Sequence, residues 1–253
     1  MKIVSWNVNS IKARLSHVQR YLEENTPNVL MIQELKGLDF PKETFESLGY
    51  QTHAVTQKAY NGVAVISKHP IDVIYSTLPG YEHDEQARYI EANINSIRII
   101  NIYLPNGNPT PGPKYDYKLE WMEHLYTHLK HLTEENTPFL IGGDFNVIPD
   151  NKDCHAPKDW YGDALFRPET HKIWRKILNL GLTDAFRVNN QAAGQYSFWD
   201  YQAGAWQKNN GIRIDHFLLS PTIADQLQCC EINKNPRGWE KPSDHTPIEL
   251  TLG

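Results

Sequence analysis

The chain has 253 residues, 40% of them hydrophobic and 22% charged, with a formal net charge of −5. That balance excludes a mostly disordered chain, and its acidic sign argues against a protein that coats nucleic acid through overall positive charge. It leaves room for a phosphodiesterase, whose carboxylate-rich centre makes the chain acidic while a local basic rim meets phosphate.

Lys2 to Val8 is a short apolar run and reads as a buried strand. Ser10 follows as an N-cap, and Ile11, Leu15, Val18 and Leu22 line one face of an amphipathic helix. Thr26-Pro27-Asn28 breaks it, and Val29 to Gln33 is a second apolar run that ends at Glu34. Residues 62–67, 71–75, 89–94 and 97–104 read as further strands, several of them apolar on both faces and therefore central in a covered sheet. A long helix is expected from about Tyr115 to Glu135, with Leu119, Met122, Tyr126, Leu129 and Leu132 as its apolar stripe. His124, His128 and His131 fall off that stripe and read as a solvated face. Thr137-Pro138 stops the helix, and Phe139-Leu140-Ile141 begins a strand that runs into Gly142-Gly143-Asp144. Residues 149–168 are loop-like, a helix is expected near 169–180, and strands return around Tyr196–Trp199, Ile212–Leu219, Gln228–Asn233 and Thr246–Leu252. Strands early and late with helices interspersed favour a two-sheet α+β sandwich, and no break marks a second domain within 1–253.

No apolar run approaches the ~18 residues of a membrane span, and MKIVSWNVNS lacks the apolar stretch of a secretory signal. A cytoplasmic protein is the expectation. Cys154, Cys229 and Cys230 have neither the number nor the spacing for a disulfide framework or a zinc site and suit a reducing compartment.

The informative feature is where polar residues sit. They end or interrupt apolar strands: Asn7 after IVSW, Glu34 after VLMIQ, Tyr103 and Asn106 after IINI, Asp144 and Asn146 after PFLIGG, Asp215 after GIRI, and Asp244-His245 before TPIEL. Singly, each is an ordinary strand end, turn former or surface pair. A buried strand ending in Asp, Asn or Glu needs a partner for that group, and strand ends that share one edge bring these residues to one site.

These residues lie in SWNVNSIKAR (5–14), IQELK (32–36), GVAVISK (62–68), QARYIEA (86–92), NIYLPNG (101–107), IGGDFNVIP (141–149), the block 196–221 and PRGWEKPSDHTPI (236–248). In this order the chain resembles the exonuclease III family of apurinic/apyrimidinic endonucleases, within the endonuclease/exonuclease/phosphatase superfamily. The resemblance implies an α+β fold, a four-layer α/β/β/α sandwich with two packed mixed sheets. It implies a nuclease that hydrolyses the phosphodiester 5′ to an abasic site and trims or cleans 3′ ends of duplex DNA. Such an enzyme is expected to act as a monomer on double-stranded DNA, in the cytoplasm and associated with the nucleoid in a bacterium.

Phosphodiester cleavage needs a metal, an activated water in line with the scissile bond, and help for the leaving oxygen. Mg2+ (Mn2+ can substitute) takes hard oxygen ligands and retains waters, so one or two carboxylates suffice. Glu34 is the first candidate ligand, and the resemblance adds Asn7 and Asp244. It also implies that Asp215 orients His245, which either donates to phosphate as imidazolium or acts as general base. Asp144 then deprotonates the attacking water or protonates the leaving group. Asn146 holds Asp144 or a phosphate oxygen, and Tyr103 contacts the scissile phosphate as phenol or phenolate. Asn106 and Arg88 are expected on phosphates, and Lys36 beside the metal carboxylates. Phe198, Trp199 and Trp206, with Ile212 and Leu219, are expected to wall a pocket for a base-free sugar and to wedge the helix. Lys12, Arg14, Lys208 and Arg213 are expected in a basic rim. Two departures from the family stand out: Ile212, where some members have Trp, and His155-Ala156-Pro157-Lys158, where eukaryotic members have an Asn-Pro-Lys run. A phosphoesterase of lipid or inositol phosphates and a catalytically dead DNA-binding protein are the competing readings. The Trp-bearing block and the intact acidic set argue against them.

Overall fold

The computed structural model describes residues 1–253. Its strands are β1 (Lys2–Asn7), β2 (Val29–Gln33), β3 (Gln51–Val55), β4 (Val63–Ser67), β5 (Asp72–Tyr75), β6 (Tyr89–Ile94), β7 (Ile97–Tyr103), β8 (Phe139–Asp144), β9 (Thr183–Asp184), β10 (Asp215–Leu219), β11 (Leu227–Ile232) and β12 (Ile248–Leu252). The helices are α1 (Ile11–Asn25), α2 (Lys42–Ser47), α3 (Pro113–Glu134), α4 (Pro168–Leu178), α5 (Ala185–Asn189), α6 (Ala205–Lys208) and α7 (Pro221–Ala224). No helix is long and apolar enough to cross a membrane.

The strands form two six-stranded sheets, in the orders β11-β12-β1-β2-β4-β3 and β5-β6-β7-β8-β10-β9. Each is mixed: β1–β2 and β7–β8 pair parallel, and their other neighbours are antiparallel. Three apolar clusters define the layers. Val18, Tyr21 and Leu22 of α1 pack on Val4, Trp6 and Ile32, the outer face of the first sheet. Ile3, Val29, Met31 and Val65 meet Ile90, Ile99, Leu140 and Phe217 between the sheets. Trp121, Leu125 and Leu129 of α3 and Trp174 of α4 cover Ile100, Ile102 and Ile141 on the outer face of the second. This is the expected α/β/β/α sandwich. The sheets come close at Gly142, where an added Cβ would lie 2.6 Å from Met31 Cε and 2.5 Å from Phe217 Cε1.

Side chains alternate faces along a strand, so residues two and four apart share a face. In β1, Ile3 faces the partner sheet, and Ser5 and Asn7 follow it on that face. In β7 the same series is Ile99, Asn101 and Tyr103, and in β8 it is Leu140, Gly142 and Asp144. Antiparallel β10 gives Leu219, Phe217 and Asp215 in reverse. The apolar inner faces therefore end in Asn7, Tyr103, Asp144 and Asp215. Just beneath them Gln33 donates to Ser5 Oγ (3.0 Å) and Asn101 Oδ1 (2.7 Å), and Asn101 donates to the carbonyls of Ile32 and Ala64, so the amide nitrogens of this polar layer between the sheets are satisfied.

Some expectations are corrected. α2 and β3 form in a stretch where periodicity shows no element. Residues 196–199 do not make a strand: Phe198 forms single bridges to Ile212 and His245. The buried face of α3 is carried by Trp121 and Leu125 as well as Met122, Leu129 and Leu132, while Leu119 and Tyr126 are only partly buried. His128 is not on a solvated face. It is buried, with Nε2 2.8 Å from Glu91 Oε2, and Glu91 also binds Arg98 and the Tyr89 hydroxyl. His124 stacks on Tyr81, and only His131 is well exposed. Arg213 is no rim residue. It is 1% exposed and lies between Asp153 and Asp184, because a guanidinium taken out of water must be paired.

Candidate active site

The strand ends meet in one cavity of about 220 Å³, lined by residues that include Glu34, Tyr103, Asn106, Asp144, Asn146, Phe198, Asp244 and His245. Asn7 stands at its floor. Its Nδ2 donates to Glu34 Oε1 (2.7 Å) and Asp144 Oδ2 (2.9 Å), and its Oδ1 accepts from the Asn9 amide (3.0 Å). Asn7 thus turns its nitrogen to the carboxylates and supports them; its oxygen is committed elsewhere. Glu34 follows β2 in a left-handed turn, φ 57°, which swings its carboxylate over the sheet edge. Lys36 Nζ pairs with Glu34 Oε2 at 2.7 Å and also holds Asn9 Oδ1. Burial raises the Glu34 pKa, but the Lys36 ammonium and the Asn7 amide outweigh it and hold the carboxyl below its ordinary value.

His245 Nδ1 lies 2.9 Å from Asp215 Oδ2, and its Nε2 lies 3.7 Å from Asp144 Oδ2. The ring packs edge-on against Phe198, centroids 4.9 Å apart. Burial disfavours the imidazolium, yet Asp215 and then Asp144 more than offset that and push its pKa up to about 10. Asp144 sits opposite Asp215 in the β8–β10 register. Burial, with the charges of Asp215 and Glu34, pushes its carboxyl up to about 7 against the pull of His245. Its Oδ1 accepts from the Asn146 main-chain N–H (2.9 Å), so the backbone of Asn146, in a left-handed conformation, steadies Asp144. The Asn146 side chain faces the other way: Nδ2 donates to the Leu104 carbonyl, and Oδ1 accepts from Asn106 Nδ2 at 3.0 Å. Burial and the charges of Glu34 and Asp144 raise the Tyr103 phenol well above its ordinary value, so it is a neutral hydroxyl.

Glu34, Asp144 and His245 offer ligand atoms within 4.8 Å of one another. With its Nδ1 on Asp215 and the ring driven to the charged form, His245 is not a donor of lone pairs. Glu34 and Asp144 remain, with Asp244 on the same wall, its Oδ1 accepting from Asn9 Nδ2 (3.0 Å). Two or three carboxylates with nothing softer fit a hard divalent cation.

Arg88 lies outside this cavity but against it. It donates to the Tyr103 carbonyl (3.0 Å), stacks over the Tyr103 ring, and lines a neighbouring groove of about 700 Å³ with Asn106, Lys114 and Tyr117. Trp206 is not brought into the cavity. It packs on Trp199, centroids 4.8 Å apart, with Arg237 over it. Trp199 is fully buried and Leu219 belongs to the core between the sheets, so neither walls the site. The apolar wall is Phe198, Ile212, Ile214, Leu165 and Trp160. Of the expected rim, Lys12 is exposed at the start of α1. Arg14 binds the carbonyls of Asn9 and Pro242, and exposed Lys208 donates to the Ala203 carbonyl.

Trp160, Asp163 and Leu165 reach the site from the 149–168 loop, which carries no periodic signal, and Asn108 Nδ2 ties that loop through Asp163 (3.1 Å). Asn9 bridges Asp244 and Lys36. The SWNVNSIKAR run contains Asn9, but no local pattern marked Trp160, Asp163 or Leu165.

A cavity of this kind, at one end of two packed mixed sheets, is a phosphoesterase site. The chain belongs to the endonuclease/exonuclease/phosphatase family, whose sequence pattern matches residues 4–245. It is 33% identical over 262 residues to exodeoxyribonuclease III of Haemophilus influenzae, with 98% of each chain covered. Among solved structures it superposes with TM-score 0.97 and 34% identity on the 3′ phosphatase NExo of Neisseria bound to a product DNA hairpin, covering 100% of this chain and 99% of that one. An AP endonuclease from Archaeoglobus fulgidus gives TM-score 0.93 and 35% identity, with the same coverage.

Proposed function

We propose that this protein is a DNA-repair nuclease that hydrolyses the phosphodiester 5′ to an abasic site in duplex DNA and removes nucleotides or blocking phosphates from 3′ ends. The observation that carries the reading is the pair of couples in one cavity: Glu34 with Asp144 bridged by Asn7, and His245 with Asp215. The first collects negative charge for a cation and the second holds positive charge beside it, which is the complement of a phosphate.

Glu34, Asp144 and Asp244 would hold Mg2+, with Mn2+ able to replace it. When bound there, the metal would supply positive charge to offset that of the phosphate and of the departing oxygen. Asn7 keeps Glu34 and Asp144 in register. Imidazolium His245 donates from Nε2 to a non-bridging phosphate oxygen, and the neutral Tyr103 hydroxyl and the Asn106 amide face the same phosphate. The Asp144 carboxylate accepts the proton of the attacking water as its oxygen bonds to phosphorus and the bond to the 3′ oxygen breaks. Endonuclease, exonuclease and phosphatase reactions share this displacement, with the 3′ oxygen leaving in each, and differ only in what the attacked phosphorus still carries: the abasic strand, a single nucleotide or nothing. Arg88 grips neighbouring backbone, Lys36 holds Glu34 in place, and Phe198 and its apolar neighbours receive a sugar without a base, which costs little to unstack. The protein acts as a monomer in the cytoplasm, in contact with the nucleoid.

The test is a labelled duplex with one tetrahydrofuran abasic analogue, incubated with Mg2+ or with excess chelator and sized on a gel. A single cut 5′ to the analogue, lost with chelator, is expected. An uncut duplex with undegraded 3′ ends in Mg2+, or cleavage that ignores chelator, refutes the proposal.

A further inference from the structure

Lys118 has no role in the scheme above, yet it is the one fully buried lysine, at 0% exposure. It lies on the inward face of α3 beside Trp121, Met122 and Leu125, where an apolar residue is the ordinary choice. Its Nζ donates to the main-chain carbonyls of Asn106 (3.1 Å) and Asn146 (2.5 Å). No carboxylate is in ion-pair contact with it. Burial lowers its pKa to about 7, opposed by the more distant charges of Asp144 and Asp163. A lysine buried in this way is costly.

The two carbonyls belong to different loops. One follows β7 and carries Asn106; the other follows β8 and carries Asn146, whose N–H holds Asp144. The loops touch through Asn106 Nδ2 and Asn146 Oδ1. The lysine stem fills the space under Gly107, φ 90°, where an added Cβ would come within 2.7 Å of Lys118 Cδ. The first loop therefore sits down on the lysine, and the ammonium is the point at which both loops are fastened to the helix.

We propose that Lys118 is a positioning residue: it clamps the Asn106 and Asn146 loops from behind the site and so fixes the geometry of the phosphate-facing edge. It rests on the nuclease reading. Its loss slows the chemical step and leaves DNA affinity nearly unchanged, because no part of it reaches the surface. A misplacement of about 1 Å in such an edge costs on the order of 100-fold in rate.

The test uses Lys118→Met, Lys118→Gln, Asn106→Ala and the Asn106→Ala/Lys118→Met double variant. Single-turnover cleavage of the abasic duplex is measured at 20 °C, DNA dissociation constants by fluorescence anisotropy in chelator, and folding by circular dichroism. The expected result for Lys118→Met is a rate about 10- to 100-fold lower with a Kd within about threefold of wild type. Because Lys118 acts partly through the Asn106 loop, the loss in the double variant is smaller than the product of the two single losses. Lys118→Gln keeps N–H donors on a shorter stem. If Lys118→Met does not fold, Lys118→Gln carries the test and is expected to show the same split. A loss carried by Kd, a wild-type rate in a folded variant, or fully multiplicative losses in the double variant overturns the proposal. Wild-type enzyme in the same assay separates this outcome from failure of the nuclease reading, since that reading fails if wild type does not cut or cuts regardless of chelator, whatever the variants do.

Discussion

Replacing Asp215 by Asn removes one negative charge from the partner of His245 and keeps the shape of the side chain. The two groups are 2.9 Å apart and both are buried. Two unit charges ~4 Å apart attract by ~4 kcal/mol at an effective dielectric constant of ~20, which moves an imidazole midpoint by about three pH units. That is the size of the rise from 6.5 to about 10 for His245. In Asp215→Asn the imidazole returns to its ordinary range or below, and at pH 7.5 it is mostly neutral. The charged donor to phosphate is then lost, and kcat is expected to fall by about 100- to 10,000-fold. Two-dimensional NMR of the His245 ring gives the direct reading: no titration between pH 5.5 and 8.5 in wild type, and a midpoint inside that window in the variant. Stability follows with a definite sign. The folded pKa is raised, so the stabilisation is complete below 6.5 and is lost as pH rises toward about 10. The urea-midpoint gap between wild type and variant should narrow from pH 6 to pH 9.5. A His245 that titrates identically in both proteins, or a variant with wild-type kcat, would refute the electrostatic assignment.

Glu34→Gln keeps the bond from Asn7 but removes a charge from the cation site, so the Mg2+ concentration for half-maximal rate should rise by about tenfold or more in a metal titration; an unchanged titration removes Glu34 from the ligands. Phe198→Ala opens the apolar wall beside His245, and incision at the abasic analogue should fall by about tenfold more than 3′ nucleotide removal, read from both rates on matched duplexes. Equal losses would make Phe198 a packing residue only. Arg213→Met leaves Asp153 and Asp184 buried without their shared cation, and urea unfolding should show a loss of about 3–5 kcal/mol. DNA affinity of the folded protein should not change; a fall in affinity without a fall in stability would return Arg213 to a phosphate-binding role.

Much of this molecule is written in local patterns. Apolar runs ending in Asn7, Glu34, Tyr103, Asp144 and Asp215 are visible one strand at a time, because strand periodicity and the cost of burying a lone carboxylate are properties of short segments. The motifs around them are enough to name the family and its two-sheet sandwich. What the residues face is another matter. Arg213 and Trp206 carry the chemistry of phosphate and base contacts, but Arg213 is buried between two carboxylates and Trp206 lies on Trp199. His128 shares its helix with exposed His131 yet closes on Glu91. Trp160 and Leu165 reach the cavity from a loop with no periodicity, and Lys118 reaches the back of the site from the middle of a helix.

The amino-acid order by itself determined most of the long elements, the acidic strand ends and the family. Only the folded chain decided which of those groups lie against one another, since that depends on strand register and on how two sheets and their covering helices stack. Those contacts join residues as far apart as Asn7 and Asp144, and no segment of the sequence contains them.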